Sequence, residues 1–350
     1  MYSEKKIQLN APAGNLPSFI AAVDAGADLV YMGFRSPTNL RNLPGLNFSV
    51  EQAQKAVQYA HQHGRGVHVT VNTYPTDTQL KECFRAVDYA HDIGADAVIA
   101  ADWAVLDYTR NRYPDMEIHL SCVAGVADPA AIHFYRKEFG INCVVLPRVL
   151  CLEQIAALRR QTDVLLEVMV FGVLCANYDG RCCLSSFITG ASAHSIGACA
   201  PAEFVQFKET EEGRLSLKLN GIVINSFAAT EKHTYPTPCK GKYYNPAVGR
   251  WLHAFQDPCC LNALSVLGKL AAAGVDIVKI EGRQRSLAYI QLVTSAWREA
   301  IDSLSQRENF DPQKHKGPQP KKMSAGSPKN MSLDSILEGT AGSLGALGRG

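Results

Sequence analysis

The chain has 350 residues, 47% of them hydrophobic and 19% charged, with a formal net charge of +2 at neutral pH. Such a chain can bury one large core, and its near-balanced charge offers no global attraction for nucleic acid or an anionic membrane, so a nucleic-acid partner is not expected. No apolar run reaches the roughly 18 residues that span a bilayer, and the start MYSEKKIQL lacks the apolar stretch of a secretion signal, so a cytoplasmic protein is expected.

In chain order, short β-branched runs alternate with helical patterns, the signature of βα units around a parallel sheet. The strands read as Ile7–Ala11, Leu29–Gly33, Val67–Thr73, Ala97–Ala101, Ile118–Val123, Val144–Pro147, Val164–Phe171 and Ile277–Glu281. Between them, AGNLPSFIAAVDAG, SVEQAQKAVQYAHQHG and TDTQLKECFRAVDYAHDIG each run from a cap or turn to a closing glycine, and a last helix covers about Ser286 to Leu304. Eight such units predict a closed (β/α)8 barrel of the TIM type, with its active site at the C-terminal strand ends. An open doubly wound sheet is the alternative. The rhythm breaks once, at residues 173–276 between strands seven and eight, which predicts an insertion on the active-site face of a barrel domain covering residues 1–303. Residues 304–350, with HKGPQPKKMSAGSPKN and AGSLGALGRG, predict a disordered tail, inside which SLDSILEG has the pattern of one short amphipathic helix.

Strand alternation predicts which side chains enter the barrel. His68, Thr70 and Asn72 of strand three, Glu117, His119 and Ser121 of strand five, Glu167 of strand seven, and Lys279, Glu281 and Arg283 at strand eight take the inner parity. Barrel interiors are ordinarily apolar, so a charged lining predicts either a polar cavity or a self-satisfied network such as Lys279 with Glu167. Glu281, Glu167 and Lys279 are the catalytic candidates. Arg41, Arg283 and Arg285 are candidates for holding a carboxylated molecule, because guanidinium pairs well with carboxylate.

Eleven cysteines in a reducing compartment argue against a disulfide framework and for metal or cluster binding by some of them. Cys83, Cys122, Cys143 and Cys151 read as small core residues. Cys175, Cys182, Cys199 and Cys239 all fall in the insertion, with 6, 16 and 39 residues between successive members. Four thiolates suit either zinc or an iron–sulfur cluster. The set has no tight C-x2-4-C pair of the zinc-knuckle kind, which favours the cluster without deciding it.

EVMVFGVLCANYDGRCCLS resembles the signature of the collagenase-like peptidase family U32, with Glu167, Gly172, Cys175, Gly180, Cys182 and Ser185 on pattern and Met169 and Val173 departing from it. APAGNLPSFIAAVDAGADLVYMG, VNTYP and KIEGRQRS are also similar to that family. Within it, PTNLRNLPGLNFS, VVLPRVL, GACAPAEFV and PTPCKGKYY resemble the UbiU-type branch, although Val123 stands where related sequences carry Gln. The resemblance implies a 4Fe-4S cluster on Cys175, Cys182, Cys199 and Cys239, with Cys183, Cys259 and Cys260 as bystanders. It implies oxygen-independent hydroxylation of a polyprenylated ubiquinone precursor, with prephenate as oxygen donor, in a heterodimer with a UbiV-like sister protein and with a lipid-carrier accessory protein. The rival expectations are hydroxylation of a tRNA or rRNA base, proteolysis, and a noncatalytic cluster-bearing subunit. No G-x-S-x-G or H-E-x-x-H motif supports proteolysis.

Overall fold

The computed structural model describes residues 7–179, 182–211, 213–228, 230–231, 237–305, 333 and 342–349. Seven parallel strands come first: β1 (Gln8–Pro12), β2 (Leu29–Met32), β3 (Gly66–Val71), β4 (Ala97–Ala100), β5 (Glu117–Leu120), β6 (Cys143–Leu146) and β7 (Leu165–Val173). Helices α1 (Leu16–Asp24), α2 (Val50–Gln62), α3 (Asp77–Asp92), α4 (Trp103–Arg112), α5 (Pro129–Phe139) and α6 (Leu152–Arg159) connect them. The strands LVYM, AVIA and CVVL are buried at every position, as strands covered on both faces must be. Capping is local and legible: Asn15 and Ser49 each accept the backbone N–H three residues on, while Ser18 and Gln52 close the reciprocal bond, worth about 1 kcal/mol per cap.

After β7 the chain leaves the barrel. It forms α7 (Cys183–Thr189), α8 (Ala193–Ile196), a three-stranded antiparallel sheet of β8 (Val205–Glu209), β9 (Leu215–Leu219) and β10 (Ile222–Phe227), and a hairpin of β11 (Lys242–Asn245) and β12 (Arg250–His253). β13 (Cys260–Asn262) then runs antiparallel along the end of β7, and α9 (Leu267–Ala272) returns the chain to β14 (Ile277–Ile280). β14 pairs with β7 through Ile277↔Glu167 and with β1 through Gln8↔Ile277, so the eight-stranded parallel barrel closes. The (β/α)8 expectation holds, and the open sheet is excluded by those two pairings of β14. Helix α10 (Leu287–Ser305) seals the join by packing on α1 with Trp297 fully buried. Strand five is shorter than expected: Ser121 accepts the Val123 N–H and turns Cys122–Ala124 into a 3-10 helix.

The tail corrects a second expectation. Residues 306–332, 334–341 and 350, and with them most of SLDSILEG, lie outside the described residues. Residues 342–349 are folded: β15 (Gly342–Ser343) adds in parallel to β13, and Leu347, 8% exposed, enters an apolar pocket with Leu146, Ile155, Leu174 and Leu261. The tail composition is too poor to build a core, yet one leucine can complete a core that the barrel and insertion already supply. Among the described residues, no helix is long and apolar enough to cross a membrane.

Candidate functional site

Cys175 lies just past the end of β7, Cys182 caps α7, Cys199 follows α8, and Cys239 sits in the 3-10 turn Pro238–Lys240. The fold brings them together, since Cys182 feels the charge of Cys199, Cys175 and Cys239, and Cys239 that of Cys175 and Cys199. Burial first, and then this mutual repulsion, pushes the Cys182 thiol up to about 11 and raises Cys239. Burial also raises Cys199, opposed by the guanidiniums of Arg41 and Arg148. The loops are tied to one another: the Cys182 N–H donates to His194 Nε2 at 3.1 Å, and the Ser185 hydroxyl donates to the Cys199 carbonyl. Gly197 has φ +84°, and a Cβ there would meet the Asn39 carbonyl at 2.4 Å, so glycine lets the Cys199 loop press against the loop after β2. There the Arg41 N–H donates to the Gly197 carbonyl at 2.6 Å.

Charged side chains ring the same mouth. Glu281, one residue past β14, takes the Arg41 guanidinium on Oε1 at 3.0 and 3.1 Å and the Val173 N–H on Oε2 at 3.1 Å. Burial alone raises this carboxyl, but Arg41, Arg148 and the Val173 N–H outweigh it and lower it to about 2. Arg148, past the end of β6, is paired with the buried Asp179, donates to the Val173 carbonyl and lies near Cys175. Arg283 is 4% exposed and donates to Asn39 Oδ1, Asn47 Oδ1 and Thr70 Oγ1 at 3.0–3.2 Å, all neutral acceptors. Burial drops it to about 10. Arg285 adjoins Glu281 and lies 5.4 Å over the Tyr289 ring. At the mouth, then, the half-buried guanidiniums of Arg41 and Arg148 face two carboxylates, Glu281 and Asp179, with Arg285 beside Glu281. The floor between them is apolar, formed by Ala101, Val123 and Val145 with Leu40, Tyr74 and Met169 against them.

Among the described residues, the trio His119, Cys143 and Glu167 has ligand atoms all within 4.8 Å of one another, and no three of the mouth cysteines form such a group. Tetrahedral zinc with Zn–S bonds near 2.3 Å needs sulfurs about 3.8 Å apart. Four thiolates on neighbouring loops that are not drawn into so tight a group suit a polynuclear cluster, in which each thiolate binds a different metal atom.

Glu167 and Lys279 are not at this mouth. They pair with each other inside the barrel, Lys279 Nζ to Glu167 Oε1 at 2.9 Å, with Asn10 Nδ2 on the same oxygen at 2.7 Å. Burial raises the Glu167 carboxyl, but the Lys279 ammonium and His119 outweigh it and hold it well below the usual carboxylate range. Their neighbours are His68 and His119, stacked edge-on at 4.3 Å, and Tyr31, whose ring lies 4.0 Å from Lys279 Nζ. The inward parity is therefore right for all of these residues, and the Lys279–Glu167 network expected as one alternative is present. Parity says in or out and nothing about depth. Arg283 is likewise sunk beneath the mouth on neutral partners. Sequence reasoning missed Arg148, Asp179 and His194. The only signal for Arg148 is a basic residue just past an apolar strand in VVLPRVL. Cys83, Cys122 and Cys143 are buried as expected, Cys151 is half-buried at a helix start, and Cys183 is exposed.

The family model for peptidase family U32 matches residues 14–329. tRNA hydroxylation protein P of Escherichia coli (strain K12) is 31% identical over 322 residues, spanning 87% of this chain and 70% of its own. tRNA hydroxylation protein P1 of Bacillus subtilis (strain 168) is 27% identical, over 89% of this chain and 67% of its own. The 23S rRNA 5-hydroxycytidine C2501 synthase of Escherichia coli (strain K12) is 28% identical, over 86% of this chain and 40% of its own. These relatives weigh against the expectation that nucleic acid is not a partner.

Proposed function

The chain belongs to peptidase family U32, and from that premise we propose that it is an iron–sulfur hydroxylase acting without dioxygen on an unsaturated ring held over the barrel mouth. The observation that carries the proposal is the convergence of Cys175, Cys182, Cys199 and Cys239 on the strand ends that hold Arg41, Arg148 and Glu281. A 4Fe-4S cluster on these thiolates supplies one-electron redox chemistry. The chain's own residues do the rest. The guanidiniums of Arg41 and Arg148, with Arg285 beside Glu281, suit a carboxylated oxygen donor such as prephenate, and the apolar cluster of Val123, Val145 and Met169 suits the flat face of a ring. Glu281, held ionised down to about pH 2, is a weak base. Its part is to fix Arg41 and the end of β7.

Two rings are candidates. A base of tRNA or rRNA is supported by the names of the relatives, which outweigh net charge as a guide. The ring of a polyprenylated ubiquinone precursor is supported by the local segments PTNLRNLPGLNFS, GACAPAEFV and PTPCKGKYY, and that reading brings with it a UbiV-like partner subunit and a lipid-carrier protein. One comparison separates them. Cells lacking the protein, grown without oxygen, are assayed for hydroxylated nucleosides and for ubiquinone. Loss of a hydroxylated base selects RNA, and loss of anaerobic ubiquinone selects the quinone precursor. If both persist, ring hydroxylation itself is wrong and the noncatalytic-subunit reading takes its place. In the same cells Glu281→Ala is expected to cut product at least ~100-fold through misplacement of Arg41, while iron stays bound.

A further inference from the structure

Beneath the hydroxylation site, at the other end of the barrel, three potential ligands remain that the mouth chemistry does not use. The β5–β6 register sets His119 beside Cys143, and the β6–β7 register sets Glu167 across from Val145, two residues further along the same inner face. A His119 ring nitrogen, Cys143 Sγ and a Glu167 carboxylate oxygen all lie within 4.8 Å of one another, and all three residues are buried.

The hydrogen bonds around the trio are one-sided. Glu167 Oε1 takes both Lys279 and Asn10, while Oε2, fully buried, has no hydrogen-bond partner among the described residues. His119 is 1% exposed, and neither ring nitrogen makes a hydrogen bond among the described residues. Its Nδ1 lies 3.7 Å from Glu167 Oε2 and its Nε2 lies 3.5 Å from Glu117 Oε2, both too long for good hydrogen bonds. A buried polar atom without a good hydrogen bond costs roughly 1–3 kcal/mol. Nδ1 and Oε2 face each other, and a His119 ring nitrogen and a Glu167 carboxylate oxygen both lie within 4.8 Å of the Cys143 sulfur. The remaining atoms face outer partners: Glu117 stands behind Nε2, and Lys279 and Asn10 stand behind Oε1, the arrangement that orients metal-bound imidazole and carboxylate.

Access is present as well. A cavity of about 790 Å³ opens at the N-terminal strand ends and reaches His68 and His119. Its rim carries Asp28, Asp96, Asp115 and Glu117; Asp28 is neutralised by Arg65 and Arg298 and Asp96 is paired with His61, which leaves Asp115 and Glu117 as the carboxylates that favour cations at the entrance. Imidazole, thiolate and carboxylate together suit a borderline-soft divalent ion, and three protein ligands with an open fourth position is a common zinc arrangement; of the three, His119 borders the cavity.

We propose that His119, Cys143 and Glu167 form a second metal site, for Zn²⁺, at the floor of the barrel and separate from the four cysteines of the mouth. Tetrahedral Zn²⁺ places its ligand atoms about 3.3–3.8 Å apart, so the trio closes on the ion by small side-chain adjustments. Bound there, zinc ties β5, β6 and β7 together.

The test uses the full chain, purified anaerobically with its mouth cysteines loaded, freed of loosely held metal by chelator, and titrated with Zn²⁺ alone. One equivalent is expected to bind, and zinc X-ray absorption is expected to show one sulfur with nitrogen and oxygen neighbours. That measurement needs no variant, so a misfolded mutant cannot mask it. His119→Gln and Cys143→Ser are each expected to weaken binding at least tenfold, and Glu117→Gln roughly 10–100-fold as an outer-partner change. Four sulfur neighbours would put the ion at the mouth and overturn the assignment. So would absence of binding, which would leave His119 as an imidazolium facing Glu117 and Glu167, or affinity unchanged in both ligand variants.

Discussion

The two ends of the barrel interior use the same residue types to opposite effect. At the floor, Glu167 and Lys279 sit on adjacent barrel strands, β7 and β14, and pair at 2.9 Å inside a rigid wall. At the mouth, Glu281 stands on a strand end but Arg41 comes from a loop 240 residues away, and the cysteines come from loops of the insertion. A buried ion pair on adjacent strands holds register. One shared between a strand end and a loop holds the loop, and through it whatever the loop carries. The mouth therefore depends on its ligand set in a way that the floor pair does not.

The largest expected effect is at the mouth. Replacing any one of Cys175, Cys182, Cys199 or Cys239 by Ala is expected to strip most of the iron and loosen the insertion, while Cys183→Ala, at an exposed position, retains wild-type iron. Iron and sulfide analysis of the five variants checks this, and equal iron in all of them would end the distinction between the two ends.

At the floor, Lys279→Met leaves the Glu167 carboxylate buried without its ammonium and is expected to cost about 3–5 kcal/mol in denaturant unfolding. Adding Glu167→Gln is expected to restore much of that loss, because the cost lies in the uncompensated charge. No recovery in the double variant would mean that the pair acts through something other than register.

Leu347→Ala sharpens the comparison from outside the barrel, since Leu347 packs behind Leu174 and so supports the start of the Cys175 loop. We expect a loss of about 2 kcal/mol in thermal or denaturant unfolding. A neutral result would show that residues 342–349 do not bear on the insertion.

Acid tests the pairing at the mouth itself. Glu281 has a folded-state value of about 2, below its ordinary value of 4.5, so its contribution is complete above the ordinary value and disappears as the pH falls toward 2. Subtracting the unfolding profile of Glu281→Gln from that of the wild type, between pH 6 and pH 2, should leave a difference that shrinks only across that window. A flat difference would show that the carboxylate is not tied to Arg41 in solution.

Much of the fold was legible because strand periodicity and helix caps are local. The eight strands, the closed barrel, the inward parity of His68, His119, Glu167 and Lys279, and the concentration of Cys175, Cys182, Cys199 and Cys239 in one insertion follow from order along the chain. Depth within the barrel was not legible, because alternation has a period of two and carries no coordinate along the axis. That is why alternation puts Glu167, Lys279 and Glu281 inside the barrel without saying how far apart they lie. Arg148 and Asp179 were missed for a related reason: an ion pair between a strand end and a remote loop leaves no spacing to read. The docked residues 342–349 escaped notice because composition averages over a window, whereas docking depends on one leucine and a pocket built elsewhere. The sequence by itself determined which elements form and which faces they bury, since those are set by neighbours a few residues apart. Only the tertiary structure decided which charges meet, at which end of the barrel, because barrel closure joins residues separated by most of the chain.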